Sequence, residues 1–552
     1  MKLRVIYEDN KSGQRLLEGI KIRQHEAVWE EFTLEEKPYL AVCLKNGKSL
    51  FQRTINHPDA IKRCSDRENF LSVIKLNQIN AGLEDPEASK IYEVLIFDMK
   101  IIFIRQRVGM RGSQKIRYLR ENQKSRVAEI AKRVILLSGL DLALIKIQLN
   151  SKKRLQVIGA EPSPDLRDKD VESLLEEIDR LSNCQAREVK LGADPEFMII
   201  NHRSGKLVSA SNFFPVNGLV GCDNIRLPNR QQRPVAELRP KPEKSPLQLV
   251  SNLRYALIRA NGMAADKNVK WVAGSQPVPG YSIGGHIHFS NVELNAALLR
   301  ALDNYLGLMV FMIEKPHTAC KRRKKYGLLG EYRVKNYGGF EYRTPGSWLV
   351  SQKITTAVLC LAKVVASNYL QLSNNYLNLA EAQQAFYSGN REYFMKDFEN
   401  IWHDLERCRL YSKYEEELEI LRFMISNDLQ WDEKKDIRKG WNLSTSSRRN
   451  NSRAALQNSR QGESVYESVP APATDSSTIS TSRSGERRPV SGRSGRSRRS
   501  NGSGSRRSVS RVENVSRNTV IISHQALPAA VPASVPPSRA VGPVGVRRAI
   551  MV

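Results

Sequence analysis

Residues 284–290 read GGHIHFS, which sets His286 and His288 two apart beside a glycine pair in a chain with eight histidines. In an extended segment successive side chains alternate between faces, so both imidazoles point one way and Ile287 and Phe289 the other. An isolated pair of this kind also fits one histidine capping a loop and the other hydrogen-bonded in the interior. The rest of the chain decides between a site and a core.

Three further segments repeat the arrangement. "GADPEF" carries Asp194 and Glu196, "AELRP" carries Glu237 and Arg239, and "GFEYRTPG" carries Glu341 and Arg343. Each pair is spaced i, i+2, so each projects two ionisable groups from one face of a strand. One such pair is an ordinary solvated strand face; four form a pattern. If the four strands are neighbours, their common face gathers Asp194, Glu196, Glu237 and Glu341 with His286, His288, Arg239 and Arg343. Carboxylates crowd together ionised only around a compensating cation, and oxygen ligands with an occasional imidazole suit Mg²⁺ or Mn²⁺. No cysteine belongs to the set, which argues against structural zinc. Arginines among the acids offer rigid forks to phosphate or carboxylate oxygens. Arg333, in "GEYRVKNYGG", is a second candidate phosphate arginine between glycines. Metals plus arginines describe a polyphosphate site, and with neither GxxxxGK[ST] nor GxGxxG present, no P-loop or Rossmann cradle supplies it. The basic stretch "KRRKKYGLLGEYRVKNYGGFEYR" at 321–343 reads as a solvated loop for several of its lysines.

The length of 552 residues calls for two or three domains. A mean hydropathy of −0.45 and the charged opening "MKLRVIYEDNKSGQ" predict no membrane span and no signal peptide. Seven cysteines without a CxxC pair fit reduced thiols, which points to the cytoplasm. The net charge of +29 would suggest a polyanionic partner, but much of it lies in a final Ser/Arg/Gly-rich run followed by a Pro/Ala/Val-rich run. That tail, 441–552, cannot bury enough apolar surface to offset its ordering entropy and is expected to be disordered. It suits binding to a polyanion or protein partner, or a solubilising role.

Ahead of the tail, 1–185 reads as an α/β domain. "YEVLIFDMKIIFIRQR" predicts two strands joined by a turn at Asp98–Lys100, "SRVAEIAKRVILLSGL" an amphipathic helix ending at Gly139, and "ALIKIQLN" and "LQVIGAEPSPDL" further strands. After a charged helix, "DVESLLEEIDRLSN", the pattern over 186–440 changes to site-bearing strands alternating with long helices such as "VELNAALLRALDNYLGLMVFMIEK" and "SQKITTAVLCLAKVVASNYLQL".

The ordered series "GADPEF", "AELRP", "GGHIHFS" and "YGLLGEYRVKNYGGFEYRTPGSWL" resembles the carboxylate-amine ligases of the glutamine synthetase fold, most closely the phage-type COOH-NH2 ligase family. The resemblance covers about Lys190 to Val365. It implies an α+β fold in which an antiparallel funnel holds divalent metals at its waist, with ATP entering one end and the carboxylate and amine substrates the other. By position, Asp194, Glu196, Glu237, His286 and Glu341 look like metal ligands, His288 like a nucleotide contact, and Arg343 like a phosphate contact, with Arg239 and Arg333 aligned more loosely. Asp194 stands where glutamine synthetases usually have glutamate. The implied chemistry is ATP-dependent phosphorylation of a carboxylate and displacement of phosphate by an amine, the substrates being small molecules or groups on a peptide or cell-envelope polymer.

The first domain more faintly resembles the C-terminal part of ATP-grasp enzymes through "YEVLIFDMKIIFIRQRVG", "ILLSGLDLALIKI" and "GAEPSPDL". Glu161 matches an acidic position of that family, but Lys146 and Ser163 replace an acid and an asparagine, which implies a degenerate domain with a binding or scaffold role. Two other functions fit the same residues: a metal-dependent hydrolase built on the HxH pair, and an inactive ligase-like scaffold that works through its tail.

Overall fold

The computed structural model describes residues 2–23, 27–44, 52–108, 115–119, 125–183, 187–229, 231–266 and 268–443, all within one compact unit. Of the tail expected to be disordered over 441–552, residues 441–443 are ordered, with Trp441 fully buried and donating to the Leu349 carbonyl, and those from 444 onward lie outside the described residues.

Three sheets carry the fold. The first comprises β1 (Lys2–Glu8), β2 (Ala27–Leu34), β3 (Lys37–Leu44) and β4 (Gln52–Ile55), in the order β2-β3-β1-β4. The second comprises β5 (Lys90–Phe97), β6 (Lys100–Val108), β7 (Lys115–Leu119), β8 (Leu142–Leu149) and β9 (Leu155–Glu161), in the order β7-β6-β5-β8-β9. The expected turn forms at Asp98 and Met99, whose φ angles of 46° and 71° are those of a two-residue hairpin turn matched to strand twist. The predicted helix runs over Arg126–Ser138, capped by Ser125 and ended by Gly139 at φ 80°. In these two sheets only β1 and β4 pair in parallel. The region is therefore α+β rather than the α/β expected. Tight turns link β2 to β3 and β5 to β6, leaving no room for the helical crossover that parallel neighbours need.

The third sheet is antiparallel throughout and carries the four paired segments. Its strands are β10 (Lys190–Asn201), β11 (Leu207–Val208), β12 (Val220–Cys222), β13 (Val235–Leu238), β14 (Val269–Val272), β15 (Gly285–Ser290), β16 (Tyr332–Val334) and β17 (Phe340–Tyr342). The order is β12-β13-β10-β15-β17-β16, with β11 and β14 also on β10. Strand β10 changes partner near Pro195, which has no N–H to give to a ladder: β15 pairs with 190–195, and β13 and β14 with 196–201.

Long helices cover the other side of this sheet. Gln352–Asn368 starts at Ser351, whose hydroxyl accepts from the Ile354 N–H. Removing that cap in Ser351→Ala is expected to cost about 1 kcal/mol, read as a lower thermal midpoint with unchanged ligand binding. The Ala296–Ile313 helix is the one among the described residues long and apolar enough to cross a membrane, but 89% of it is buried, which makes it a core helix here. Its middle turn, Leu302–Gly307, is π-helical and lies behind β17. There Asp303 accepts a 2.8 Å hydrogen bond from the Tyr342 hydroxyl, and a Cβ at Gly307 would stand 2.6 Å from the same oxygen. The widened turn thus seats the residue beside Glu341.

A buried ionic network joins the second sheet to the start of that helix. Arg53 binds Asp98 at 2.9 Å and Asp141 at 3.2 Å, Arg300 binds Asp141 at 3.1 Å, and Asp98 accepts from the Ala296 N–H at 3.1 Å. Each carboxylate meets at least one guanidinium, which satisfies charges that would otherwise be costly to bury.

Candidate active site

The four paired segments are neighbours, in the order β13, β10, β15, β17, and their polar pairs lie in register. Glu196 faces Glu237, Asp194 faces His286, His288 faces Glu341, and Arg333 on β16 also faces Glu341. Side-chain alternation then delivers all of these groups to one side of the sheet.

At the centre stand Asp194, His286 and Glu341, which each bring one potential ligand atom within 4.8 Å of the others. His286 Nδ1 is 3.3 Å from Asp194 Oδ1 and 3.3 Å from Glu341 Oε1, and His288 Nε2 is 2.9 Å from Asp194 Oδ2. The glycine pair of the opening motif explains how the ring fits. A Cβ at Gly284 would collide with the His286 imidazole, and one at Gly285 with the Trp348 indole, whose Nε1 donates to the Gly285 carbonyl at 2.8 Å. Glu196 is buried beside this group and accepts from the Gly284 N–H at 2.7 Å.

Two oxygens, Asp194 Oδ1 and Glu341 Oε2, are buried without a hydrogen-bond donor in bonding geometry, although cationic side chains stand near. Oxygen and imidazole donors converging with lone pairs unspent fit a hard divalent cation. Burial pushes the Glu196 carboxyl up to about 7, and burial with the charge of Asp194 pushes Glu237 up to about 8. Burial also opposes the charge of Asp194, yet the two imidazoles hold its carboxyl well below the usual range. His286 is raised despite burial, through its bond to Asp194 and the charges of Glu196 and Asp194.

These shifts fix a pH dependence. Both glutamates rise from an ordinary value of 4.5, so their contribution to folding is complete below that value and is lost as pH rises through about 7 and 8. A cation held beside these carboxylates would favour their deprotonated forms. Without divalent ions the thermal midpoint is therefore expected to fall between pH 6 and 9, and the upward shift produced by Mg²⁺ or Mn²⁺ to grow over the same interval. A metal-induced shift larger at pH 6 than at pH 9 would contradict this.

The arginines have distinct settings. Arg343 is mostly buried, 3.1 Å from Glu341 and 3.5 Å from Glu331. Arg333 is 59% exposed and reaches Glu341 at 3.5 Å. Arg239 pairs with Glu237 and donates to the carbonyls of Val216, Gly218 and Cys222, so it ties β13 to the loop leading into β12.

Two cavities meet at this cluster. One, of about 360 Å³, is walled by Glu196, His286, Glu331, Glu341, Arg322 and Arg343 among others; the second, of about 350 Å³, takes in His288, Arg239 and Lys335. Asp194, Asp223, Asn224, Glu237 and Arg333 line both.

The sequence reading missed Asp223, Glu331, Lys335 and Tyr337. Lys335 Nζ lies 2.6 Å from Glu341 Oε2, Glu331 takes the N–H groups of Gly327 and Leu328, and the Tyr337 hydroxyl is 3.2 Å from His288 Nδ1. Glu331, Arg333 and Lys335 repeat the i, i+2 spacing of the other strands, so that signal was available; Asp223 sits just past a three-residue strand that carries no such pattern. In the basic stretch, Arg322 and Arg323 are buried rather than solvated: Arg322 donates to the carbonyls of Thr344 and Arg343, and Arg323 pairs with Glu314.

Residues 191–443, the segment holding this site, match the family described as phage phiEco32-like COOH.NH2 ligase-type 2, the family its motifs resemble. No curated protein matches the chain. Among solved structures, it is similar to the ATP-grasp ligase PsnB complexed with a minimal precursor, at 12% identity over 23% of this chain and 65% of that one, with a TM-score of 0.20. It is also similar to the macrocyclase MdnC bound with precursor peptide MdnA from Microcystis aeruginosa MRC, at 9% identity over 32% of this chain and 98% of that one, TM-score 0.23. A third is a bifunctional glutathione synthetase from Pasteurella multocida, at 11% identity over 46% of this chain and 48% of that one, TM-score 0.30.

Proposed function

We propose that the third sheet is the active site of an ATP-dependent carboxylate-amine ligase, arranged as a glutamine synthetase-like funnel. The observation that carries this reading is the pair of cavities sharing the carboxylates of Asp194, Asp223 and Glu237 as one wall, with His286 and Glu341 gathered around Asp194 on the side of the first cavity. One compartment suits a polyphosphate and the other an acceptor, as transfer between two reactants requires. Divalent metal, Mg²⁺ or Mn²⁺, would be held by Asp194, His286 and Glu341, with Glu196 and Glu237 beside them, and when bound supplies charge neutralisation at the phosphates.

The substrate carboxylate attacks the γ-phosphorus, the bond to the ADP oxygen breaks, and an acyl phosphate forms. The amine nitrogen then attacks the acyl carbon, phosphate leaves, and the nitrogen sheds a proton as the amide forms. Arg343 and Arg333 would offset the charge spread over the transferring oxygens, which is where preorganised electrostatics acts most strongly. His288 and Lys335, on the second cavity, are placed to orient nucleotide phosphates, while Arg239 holds Glu237 and its loop.

For the first 185 residues a binding or scaffold role fits best. Glu161, the acidic residue that matches the ATP-grasp pattern, is engaged by Lys146 at 3.0 Å, at the position where the pattern has an acid.

The test is ADP release by the full chain with ATP and Mg²⁺ across panels of carboxylates, peptides and amines, with hydroxylamine as the trapping amine. Amine-dependent ADP release with hydroxamate formation supports the ligase. Hydrolysis of amides without ATP would replace it with the hydrolase reading, and a folded protein that binds no nucleotide would replace it with the scaffold.

A further inference from the structure

A further charged cavity, of about 300 Å³, lies at the root of β10, and none of its lining residues borders the two active-site cavities. Arg187, Lys244, Lys363 and Lys413 line it, with Glu188 as the one acid. Lys363 is unusual among them, with a side chain only 5% exposed in the middle of the Gln352–Asn368 helix. Its ammonium donates to the carbonyl of Val189, the residue just before β10, and stands 3.8 Å from Glu188. Glu188 is 58% exposed and already engaged by Lys244 at 2.9 Å. Lys413 and Arg187 make no ion pair among the described residues. Burial, and then Lys413 and Lys244, push the Lys363 ammonium down against the pull of Glu188.

The cavity has further features of an anion receptor. Ser245, which caps the 18-residue Pro246–Met263 helix, lines it, so the positive end of that helix faces the same space. The Ser367 and Tyr414 side chains also border it. Four cations against one acid leave a net charge of +3 that includes the buried Lys363 ammonium, whose nearest carboxylate, Glu188 at 3.8 Å, is already held by Lys244. The volume admits a phosphate group and a few further atoms.

We propose that this cavity is a binding site for a phosphate oxyanion, separate from the active site, with Lys363 as the buried anchor and Lys244, Lys413 and Arg187 around the rim. A doubly charged oxygen anion matches it better than a carboxylate, because several donors converge from different directions on one space. Free phosphate and the phosphate monoester of a larger molecule share this chemistry.

The test is calorimetric titration of the full chain at constant ionic strength, with divalent ions chelated, using orthophosphate in one arm and glycerol 2-phosphate in the other. A saturable one-to-one component is expected, weakened about tenfold or more by Lys363→Met, the range for losing a hydrogen bond to a charged group. Lys413→Ala is expected to weaken it about twofold to fivefold, as for a rim charge. Glu188→Gln should tighten it, which a purely structural lysine cluster would not do. Stronger binding of the ester assigns the site to an esterified phosphate, and equal binding to the free ion. Should Lys363→Met fail to fold, Lys413→Ala and Glu188→Gln still decide. A wild type without a saturable component, or one unchanged by Lys413→Ala and Glu188→Gln, overturns the proposal.

Discussion

Glu341→Ala is expected to abolish metal-dependent ATP turnover and to destabilise the fold, the largest double effect at this site. The Glu341 side chain is 1% exposed and stands against His286 at 3.3 Å, Arg343 at 3.1 Å and Lys335 at 2.6 Å. Removing it leaves Arg343 and Lys335 without their shared counter-charge, which for a broken buried pair costs about 3–5 kcal/mol. The same change removes one of three converging ligand atoms, and turnover is expected to fall by at least about 10²–10³-fold, the range for losing one preorganised electrostatic group. Glu341→Gln separates the two effects. The amide keeps the shape of the side chain and still accepts from Arg343, so most stability should survive while the metal-induced thermal shift and turnover are lost. A Glu341→Gln protein that still shows a wild-type metal shift would remove Glu341 from the metal site.

Arg343→Ala is expected to leave metal binding intact and to lower ATP turnover by about 10²–10³-fold. Its guanidinium is fixed from two sides by Glu331 and Glu341, and its own carbonyl accepts from Arg322 at 3.0 Å. The head is therefore aimed before any ligand arrives, and little ordering cost falls on the reaction. Arg343→Lys should recover only a small part of the loss, because an ammonium lacks the planar fork that grips two oxygens at once. Turnover and metal shift measured on both variants place the effect. Loss of the metal shift in Arg343→Ala would mean that the arginine holds Glu341 in position rather than meeting phosphate, and turnover unchanged in Arg343→Ala would remove it from the reaction.

Much of this site could be read before folding because its signal is local. Asp194 with Glu196, Glu237 with Arg239, His286 with His288, and Glu341 with Arg343 each share a face whenever their segments are extended, since strand geometry sets a period of two whatever the surroundings. The glycines at 284 and 285 marked the close approach that the His286 ring and Trp348 require. The helix end at Gly139 and the turn at Asp98 and Met99 were legible because their signals are equally local.

Other features depend on which distant segments pair. That Asp194 faces His286, and Glu341 faces His288, follows from the registers of β10, β15 and β17, segments separated by tens of residues of chain, whereas Arg333 meets Glu341 across the short link from β16 to β17. Burial, which raises Glu196 and Glu237 while the imidazoles hold Asp194 down, exists only once those strands close on one another. The pairings of β1 with β3 and β4 and of β5 with β8, and the network of Arg53, Asp98, Asp141 and Arg300, were equally invisible, because their partners lie far apart along the chain. The amino-acid sequence by itself determined which side chains share a strand face; only the tertiary structure decided which faces meet, because alternation is a property of one backbone and register is a property of two.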